Sequence, residues 1–215
     1  MTMQPPATID ALVADLQPVD RVRTRNGITL LIAAAVTVSL AAGWLFGLRE
    51  DIMAAAPHPM VVLRLGTLLL LGLATGFAAI ASARPAVGKR QTGWPWALAA
   101  ALLFPVAALV SLVWSNNAVP SGAMAPDYGQ VCLTVSLVSA LFVGGALTVW
   151  LRHGASVRPD LTGWLTGISA GSFGTLAYSL HCPMNNIYYI GFWYTLAVGL
   201  AAGIGRLVVP RLLRW

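Results

Sequence analysis

Charged residues are scarce in this sequence. Of its 215 residues, 9% are charged and 58% are apolar, whereas about a quarter of an average soluble domain is charged. A soluble chain of this length needs charged side chains to cover its surface. Here the few charges lie mainly in short clusters between long apolar runs. Most of the surface must therefore face lipid, which predicts an integral membrane protein.

Acidic residues are fewer still, and none of the seven lies inside a long apolar run. They lie in the N-terminal tail or in predicted loops: Asp10, Asp15, Asp20, Glu50, Asp51, Asp127 and Asp160. Arg64 is the basic residue nearest to a membrane interior, and we expect it to reach water from the outer end of its helix. Pumps and ion-coupled transporters usually carry ionisable residues deep in the membrane, so that class is disfavoured.

Nucleotide-binding and hydrolase motifs are also missing: the sequence has no Walker loop, H-E-x-x-H, G-x-S-x-G or Rossmann fingerprint. We therefore predict that the protein is not an enzyme. The formal net charge of +6 does not indicate nucleic acid as a direct partner, because the basic residues flank apolar runs on one side, as membrane topology requires.

Six apolar windows are long enough to cross a bilayer, which takes about 20 helical residues. They are Gly27–Leu48, Val62–Ala83, Trp94–Ser115, Gln130–Leu151, Leu161–Leu180 and Ile187–Val209. Short connections make neighbouring helices antiparallel. We predict an all-α membrane protein with a cytoplasmic tail, residues 1–26, and a six-helix transmembrane domain, residues 27–215.

The distribution of basic residues predicts the orientation. Eleven of the thirteen lie on one side: Arg21, Arg23, Arg25, Arg84, Lys89, Arg90, Arg152, Arg158, Arg206, Arg211 and Arg214. Cytoplasmic loops carry such an excess, so both termini should be cytoplasmic in a bacterial inner membrane. The tail has no apolar core and is not expected to be a signal peptide.

Glycines recur every four residues in three windows, at Gly72 and Gly76, at Gly163, Gly167 and Gly171, and at Gly199 and Gly203. Small residues at this spacing let helix backbones approach closely in lipid. We favour packing inside one bundle over a dimer interface; the oligomeric state is not predicted.

The tail contains a short amphipathic segment that ends at Pro18. Its apolar residues repeat with helical spacing: Ile9, Leu12, Val13 and Leu16. Asp10 and Asp15 occupy other faces. About ten residues are too few for a stable isolated helix, so the segment should become ordered on a protein partner. The alternative, a helix lying on the membrane surface, is disfavoured by its acidic face.

The chain has only two cysteines, Cys132 and Cys182. They lie similar distances from the inner turn between the fourth and fifth helices, so both should reach the outer rim. A reversible disulfide can form there if the Cα atoms are within about 7 Å. A soft-metal site with His181 and with Asp127 or His58 is a second option. A third is that they are two unrelated small apolar residues.

His181, Cys182 and Pro183 form a short motif at the end of the fifth helix. A lone Cys-Pro is weak support for haem, and Pro183 is better explained as a residue that ends the helix. A protonated His181 would favour the thiolate of Cys182; it could equally be a passive interface residue.

Several of these features together resemble the NrsF-type negative regulators of sigma factor F. The resemblance covers nearly the whole chain and rests on the tail (Ile9, Asp10, Leu12, Asp15, Leu16, Pro18 and Val19), His181-Cys182-Pro183, Trp193-Tyr194 and the ending from Pro210 to Trp215. The family consists of polytopic membrane anti-sigma factors. This chain departs from the family in having Met184, Asn185 and Asn186 where acidic residues are expected after Cys-Pro.

The resemblance implies that the tail binds, in the cytoplasm, a sigma factor of the extracytoplasmic-function class. It also implies that an outer cysteine pair senses metal or oxidative stress. The implied sigma-binding residues are Ile9, Leu12, Val13, Asp15, Leu16 and Pro18. The implied sensing residues are Cys132, Cys182 and His181, with the two cysteines as ligands of any transition metal; no other cofactor is expected. The lipid bilayer is the second expected partner.

Two other functions are weaker. A membrane thiol–disulfide oxidoreductase would need a Cys-x-x-Cys motif or a second cysteine pair. A small metal or solute exporter is disfavoured by the lack of ionisable residues at mid-membrane.

Overall fold

The computed structural model describes residues 23–83, 94–114 and 124–213. In this part of the chain the regular elements are all helical: α1 (Thr24–Phe46), α2 (Glu50–Met53), α3 (Pro59–Ser82), α4 (Trp94–Trp114), α5 (Pro126–Leu151), α6 (Pro159–Ser179) and α7 (Ile187–Leu212). The tail segment from Ile9 to Pro18 lies outside the described residues.

Each predicted window corresponds to one long helix, but four of the helices begin earlier than predicted. The helix α1 begins at Thr24. The other three begin at Pro59, Pro126 and Pro159, because proline is favoured in the first turn, where its missing N–H is not needed. The windows followed apolarity and therefore excluded these prolines. The helix α1 ends at Phe46, and the next residue, Gly47, has a positive φ of 78°, which glycine adopts readily.

Within the part of the chain that the structure describes, four helices are long and apolar enough to cross a membrane: α1, α3, α5 and α7. The helix α6 is different, since it contacts each of these four and buries 15 of its 21 residues. A helix surrounded by protein needs no lipid-facing side chains, and α6 is accordingly rich in Gly, Ser and Thr. The bundle is thus built around its least apolar long helix.

The glycines of α6 explain how the neighbouring helices approach it. A Cβ atom on Gly163 would lie 2.7 Å from the carbonyl oxygen of Gly205, and one on Gly167 would lie 2.7 Å from the Cα of Ala202. Both neighbours belong to α7. The prediction of packing within the bundle is confirmed for this helix.

The other two glycine pairs differ from each other. A Cβ on Gly72 would lie 3.0 Å from the Phe173 ring and one on Gly76 would lie 2.8 Å from Ser169 Oγ, so this pair also packs inside the bundle. Among the described residues, nothing lies within 4 Å of such an atom on Gly199 or Gly203. The close approach seen at the other glycines is therefore not found at this pair.

The bundle has two distinct ends. The tail end is where α1 begins, and it is formed by residues 24–28, 82–83, 150–162 and 205–213. There Gly27 lies under the ring of Trp150. The carbonyl of Ala83 accepts a hydrogen bond from the backbone N–H of Ala155 at 3.0 Å. The cysteine end is formed by residues 44–61, 124–136 and 178–194. There the N–H of Arg49 donates to the carbonyl of Leu180 at 3.2 Å.

Candidate functional site

The two cysteines lie together at the cysteine end. Both are free thiols with no exposed surface. They share one buried cluster with Leu68, Tyr178, Tyr189, Ile190 and Tyr194. Because α5 begins at Pro126, Cys132 lies in its second turn and not at its start. The sequence predicted both thiols at an outer rim; the structure shows both buried inside one end of the bundle.

Cys182 lies in the turn that joins α6 to α7. The α6 helix ends at Ser179, and the N–H groups of His181 and Cys182 both donate to the carbonyl of Tyr178, at 3.0 and 3.1 Å. Pro183 has no N–H and cannot continue this pattern. The side chain of Asn186 then caps α7 by accepting from the N–H of Tyr188 at 2.9 Å, so the turn is fixed on both sides of Cys182.

His181 is half-buried and its ring faces aromatic neighbours. Its centroid lies 5.5 Å from that of Phe46 at the end of α1 and 6.2 Å from that of Tyr178. The ring therefore lies between α1 and α6, next to Cys182 in sequence.

The structure does not assemble the larger metal site that the sequence suggested. His58 is exposed and caps α3 by accepting from the N–H of Met60 at 3.2 Å, and Asp127 is exposed in the first turn of α5. Among the described residues, no three His, Cys, Asp or Glu side chains are placed to hold one metal ion. Two thiols without a third protein ligand do not fit a closed metal centre.

Arg64 is a member of this site that sequence reasoning missed. Its side chain has no exposed surface, so the expectation that it reaches water is wrong. Its guanidinium donates to the carbonyls of Met184 at 2.6 Å, Cys182 at 2.9 Å and Ser179 at 3.0 Å. The carbonyls left free where α6 ends compensate the buried cation. An arginine within an apolar run was the available signal.

Arg49 reaches the same turn from the segment after α1. Its guanidinium donates to the carbonyl of Cys182, and it forms two bonds with Asp51, from Nε to Oδ1 at 2.8 Å and from Nη2 to Oδ2 at 3.0 Å. This pairing, with a hydrogen bond from the N–H of His58, holds the pKa of the Asp51 carboxyl well below its usual range. The hydrogen bond to Asp51 also raises the pKa of Arg49.

Several polar side-chain atoms are buried around the cysteines: Ser136 Oγ, Ser179 Oγ, Asn185 Oδ1 and the hydroxyls of Tyr189 and Tyr194. Ser136 and Tyr189 approach the thiol of Cys132, and Ser179 approaches the hydroxyl of Tyr194. The thiols therefore lie among buried polar groups and not in a purely aliphatic core.

A π-helical segment, Ile190–Tyr194, interrupts the regular turns of α7 beside these atoms. Such segments are rare and occur frequently at functional sites. Here Ile190 and Tyr194 are both buried in the cluster that contains the cysteines. The arrangement brings two thiols, two arginines and an irregular helical segment together at one end of a membrane-type bundle.

Comparison with known proteins gives the family. Residues 12–215 match the family described as "Negative regulator of sigma F", and the chain belongs to that family. A protein of Azospira oryzae named "Probable anti-sigma-F factor NrsF" is 28% identical over 218 residues, which cover 90% of this chain and 100% of that protein. No solved structure matches. The family confirms the resemblance inferred from the sequence.

Proposed function

We propose that this protein is a membrane anti-sigma factor that sequesters an extracytoplasmic-function sigma factor through its N-terminal segment and releases it when the cysteine pair reacts. Membership in the family of negative regulators of sigma F supports the regulatory half. The observation that carries the sensing half is that the chain's two cysteines, far apart in sequence, share one buried cluster.

The sigma factor would bind the amphipathic tail segment. Ile9, Leu12, Val13 and Leu16 form its apolar face, with Asp15 beside that face and Pro18 at its end. A helix of this kind lays its apolar face in a groove of its partner. The family match begins at residue 12, inside this segment.

The membrane arrangement we propose has six spans with both termini in the cytoplasm, where the sigma factor is. The four apolar helices and the central α6 support a multi-pass chain, and the excess of basic residues supports the orientation. The cysteine end then faces the outside of a bacterial inner membrane, which is an oxidising compartment.

The chemistry at the pair is that of two thiols. If they are oxidised, a sulfur–sulfur bond forms and two protons and two electrons pass to a thiol oxidant. If a soft metal ion is the stimulus, the two thiols would bind it as thiolates and release two protons to solvent. Either change must favour a bundle arrangement with lower affinity for the sigma factor, since a signal can act only through such a difference.

Co-purification tests the proposal. The full-length chain, solubilised from membranes, should retain a soluble sigma factor. Treatment with diamide or Cd²⁺ should release it. Variants Cys132→Ser and Cys182→Ser should retain the sigma factor and no longer release it. A chain that binds no sigma factor would contradict the regulatory half; normal release from both variants would contradict the sensing half.

A further inference from the structure

The carbonyl of Cys182 accepts hydrogen bonds from two arginines that belong to different parts of the bundle. Arg64 reaches it from α3, and Arg49 reaches it from the segment that follows α1. Arg49 is attached to the turn a second time, because its own N–H donates to the carbonyl of Leu180 at 3.2 Å. The backbone beside one thiol is thus connected to two helices.

Asp51 holds the guanidinium of Arg49 in position. Its carboxylate binds both Nε and Nη2 of Arg49, and it also accepts from the N–H of His58 at 3.3 Å, next to the start of α3. Bidentate pairs of this kind fix geometry as well as contributing energy. At the same point the ring of Phe46, the last residue of α1, contacts His181.

The helix connected in this way, α1, is the least enclosed of the four apolar helices. In its most apolar stretch 17% of the residues are buried, against 44% in α3. It has 23 residues and no internal proline, so it is a straight body about 35 Å long. Its far end leads directly into the tail at Arg23. Displacement of such a helix at one end reaches the other end.

We propose that Arg49 couples the Cys182 turn to α1, so that a chemical change at Cys182 moves α1 and, with it, the sigma-binding tail. This inference rests on the proposed function and gives the path by which a change at the cysteines reaches the tail. Arg64 has the complementary role: it anchors the same carbonyl to α3, which does not lead to the tail. A change at Cys182 that shifts its carbonyl must loosen one of the two bonds, and the loosely packed α1 follows more easily than α3.

The test uses the full-length chain with Arg49→Ala and Arg49→Lys. Three quantities are measured for each: sigma factor bound at rest, loss of free thiols after diamide, and the ratio of sigma factor affinities before and after diamide. Allosteric coupling of ordinary size changes that affinity by about 5- to 150-fold. We expect Arg49→Ala to bind the sigma factor and to lose its thiols as the wild type does, while the ratio falls towards 1.

Arg49→Lys should give an intermediate ratio, since lysine keeps the charge but cannot form the bidentate pair and the carbonyl bond together. Arg206→Ala is the matched control: it removes the pair between Arg206 and Asp160 at the tail end and should leave the ratio unchanged. Release from Arg49→Ala equal to that of the wild type would overturn the proposal. If Arg49→Ala fails to assemble, Arg49→Lys and Asp51→Asn decide: a reduced ratio in both supports the coupling, and a wild-type ratio in both overturns it.

Failure of the proposed function gives a different result. It would appear in the wild type, as no bound sigma factor, or in Cys132→Ser and Cys182→Ser, as unaltered release. Failure of the coupling alone would appear only in the Arg49 and Asp51 variants, against a wild type that binds and releases normally.

Discussion

The guanidinium of Arg64 lies 2.9 Å from the carbonyl oxygen of Cys182, although Arg64 is in α3 and Cys182 is in the turn between α6 and α7. The side chain is completely buried, and its hydrogen bonds go to main-chain carbonyls. One buried cation thus contributes three hydrogen bonds that hold the Cys182 turn against α3.

Replacing Arg64 by Met should therefore destabilise the bundle strongly. The substitution removes the arginine donor of the Ser179 and Met184 carbonyls and one of the two donors of the Cys182 carbonyl, and a buried group without its partner costs about 1–3 kcal/mol. We expect the free energy of unfolding in detergent to fall by about 3 kcal/mol or more. Arg152→Met, at an exposed position, is the control and should change it little. Equal stability of the two variants would show that the carbonyls do not need Arg64.

Gly167 should not accept a methyl group. Its Cβ would lie 2.7 Å from the Cα of Ala202, so Gly167→Ala must push α6 and α7 apart, at a typical cost of about 1–3 kcal/mol. Gly203→Ala adds the same methyl group to α7 at a position where no described residue lies within 4 Å. Thermal unfolding in detergent should separate the two variants; a stable Gly167→Ala would contradict the close packing of α6 against α7.

The tail prediction concerns its apolar face. Leu12→Asp or Leu16→Asp should abolish sigma factor binding while leaving the chain in the membrane, because a carboxylate in an apolar groove is disfavoured and the lost leucine removes about 2 kcal/mol of burial. Ala11→Asp adds the same charge to the opposite face of the predicted helix and should bind normally. Pull-down of the sigma factor with each variant is the measurement. Unchanged binding by both leucine variants would exclude this face as the surface that binds the sigma factor.

The cysteines should behave as one unit. Cys132→Ser and Cys182→Ser should give the same loss of response, and the double variant should be no worse, because each removes the same pair interaction. A sigma-dependent reporter measures this. Since both thiols are buried, an impermeant maleimide should label them slowly in the resting protein and fully after denaturation. Additive effects of the two single variants would indicate separate roles.

Reporter fusions test the orientation. Fusions after residue 25, within 86–92 and at the C-terminus should report the cytoplasm, while fusions within 53–60 and 118–126 should report the outside. The excess of basic residues on one side is the physical reason. An external C-terminus would contradict an even number of spans.

The sequence was sufficient to place the long helices, since apolar runs of membrane length leave few alternatives. It also indicated the close packing of α6, because Gly163, Gly167 and Gly171 follow helical spacing. It could not give the burial of Arg64, since apolarity along a chain does not report which face of a helix meets protein. Nor could it give the π-helical segment of α7, which depends on how Tyr189 and Tyr194 pack against neighbouring helices.

The composition of α6 has a consequence for how the protein is made. With α6 as a span, its Gly, Ser and Thr residues give it little affinity of its own for the hydrocarbon interior, where insertion depends on apolar side chains. Its entry into the bilayer then relies on helices already present. The helix α5 precedes it in the chain and packs against it, so we expect α5 to assist its insertion. Biogenesis of this bundle is thus cooperative: a nascent chain that ends after α6 should leave that helix poorly integrated, and synthesis of α7 should complete its insertion.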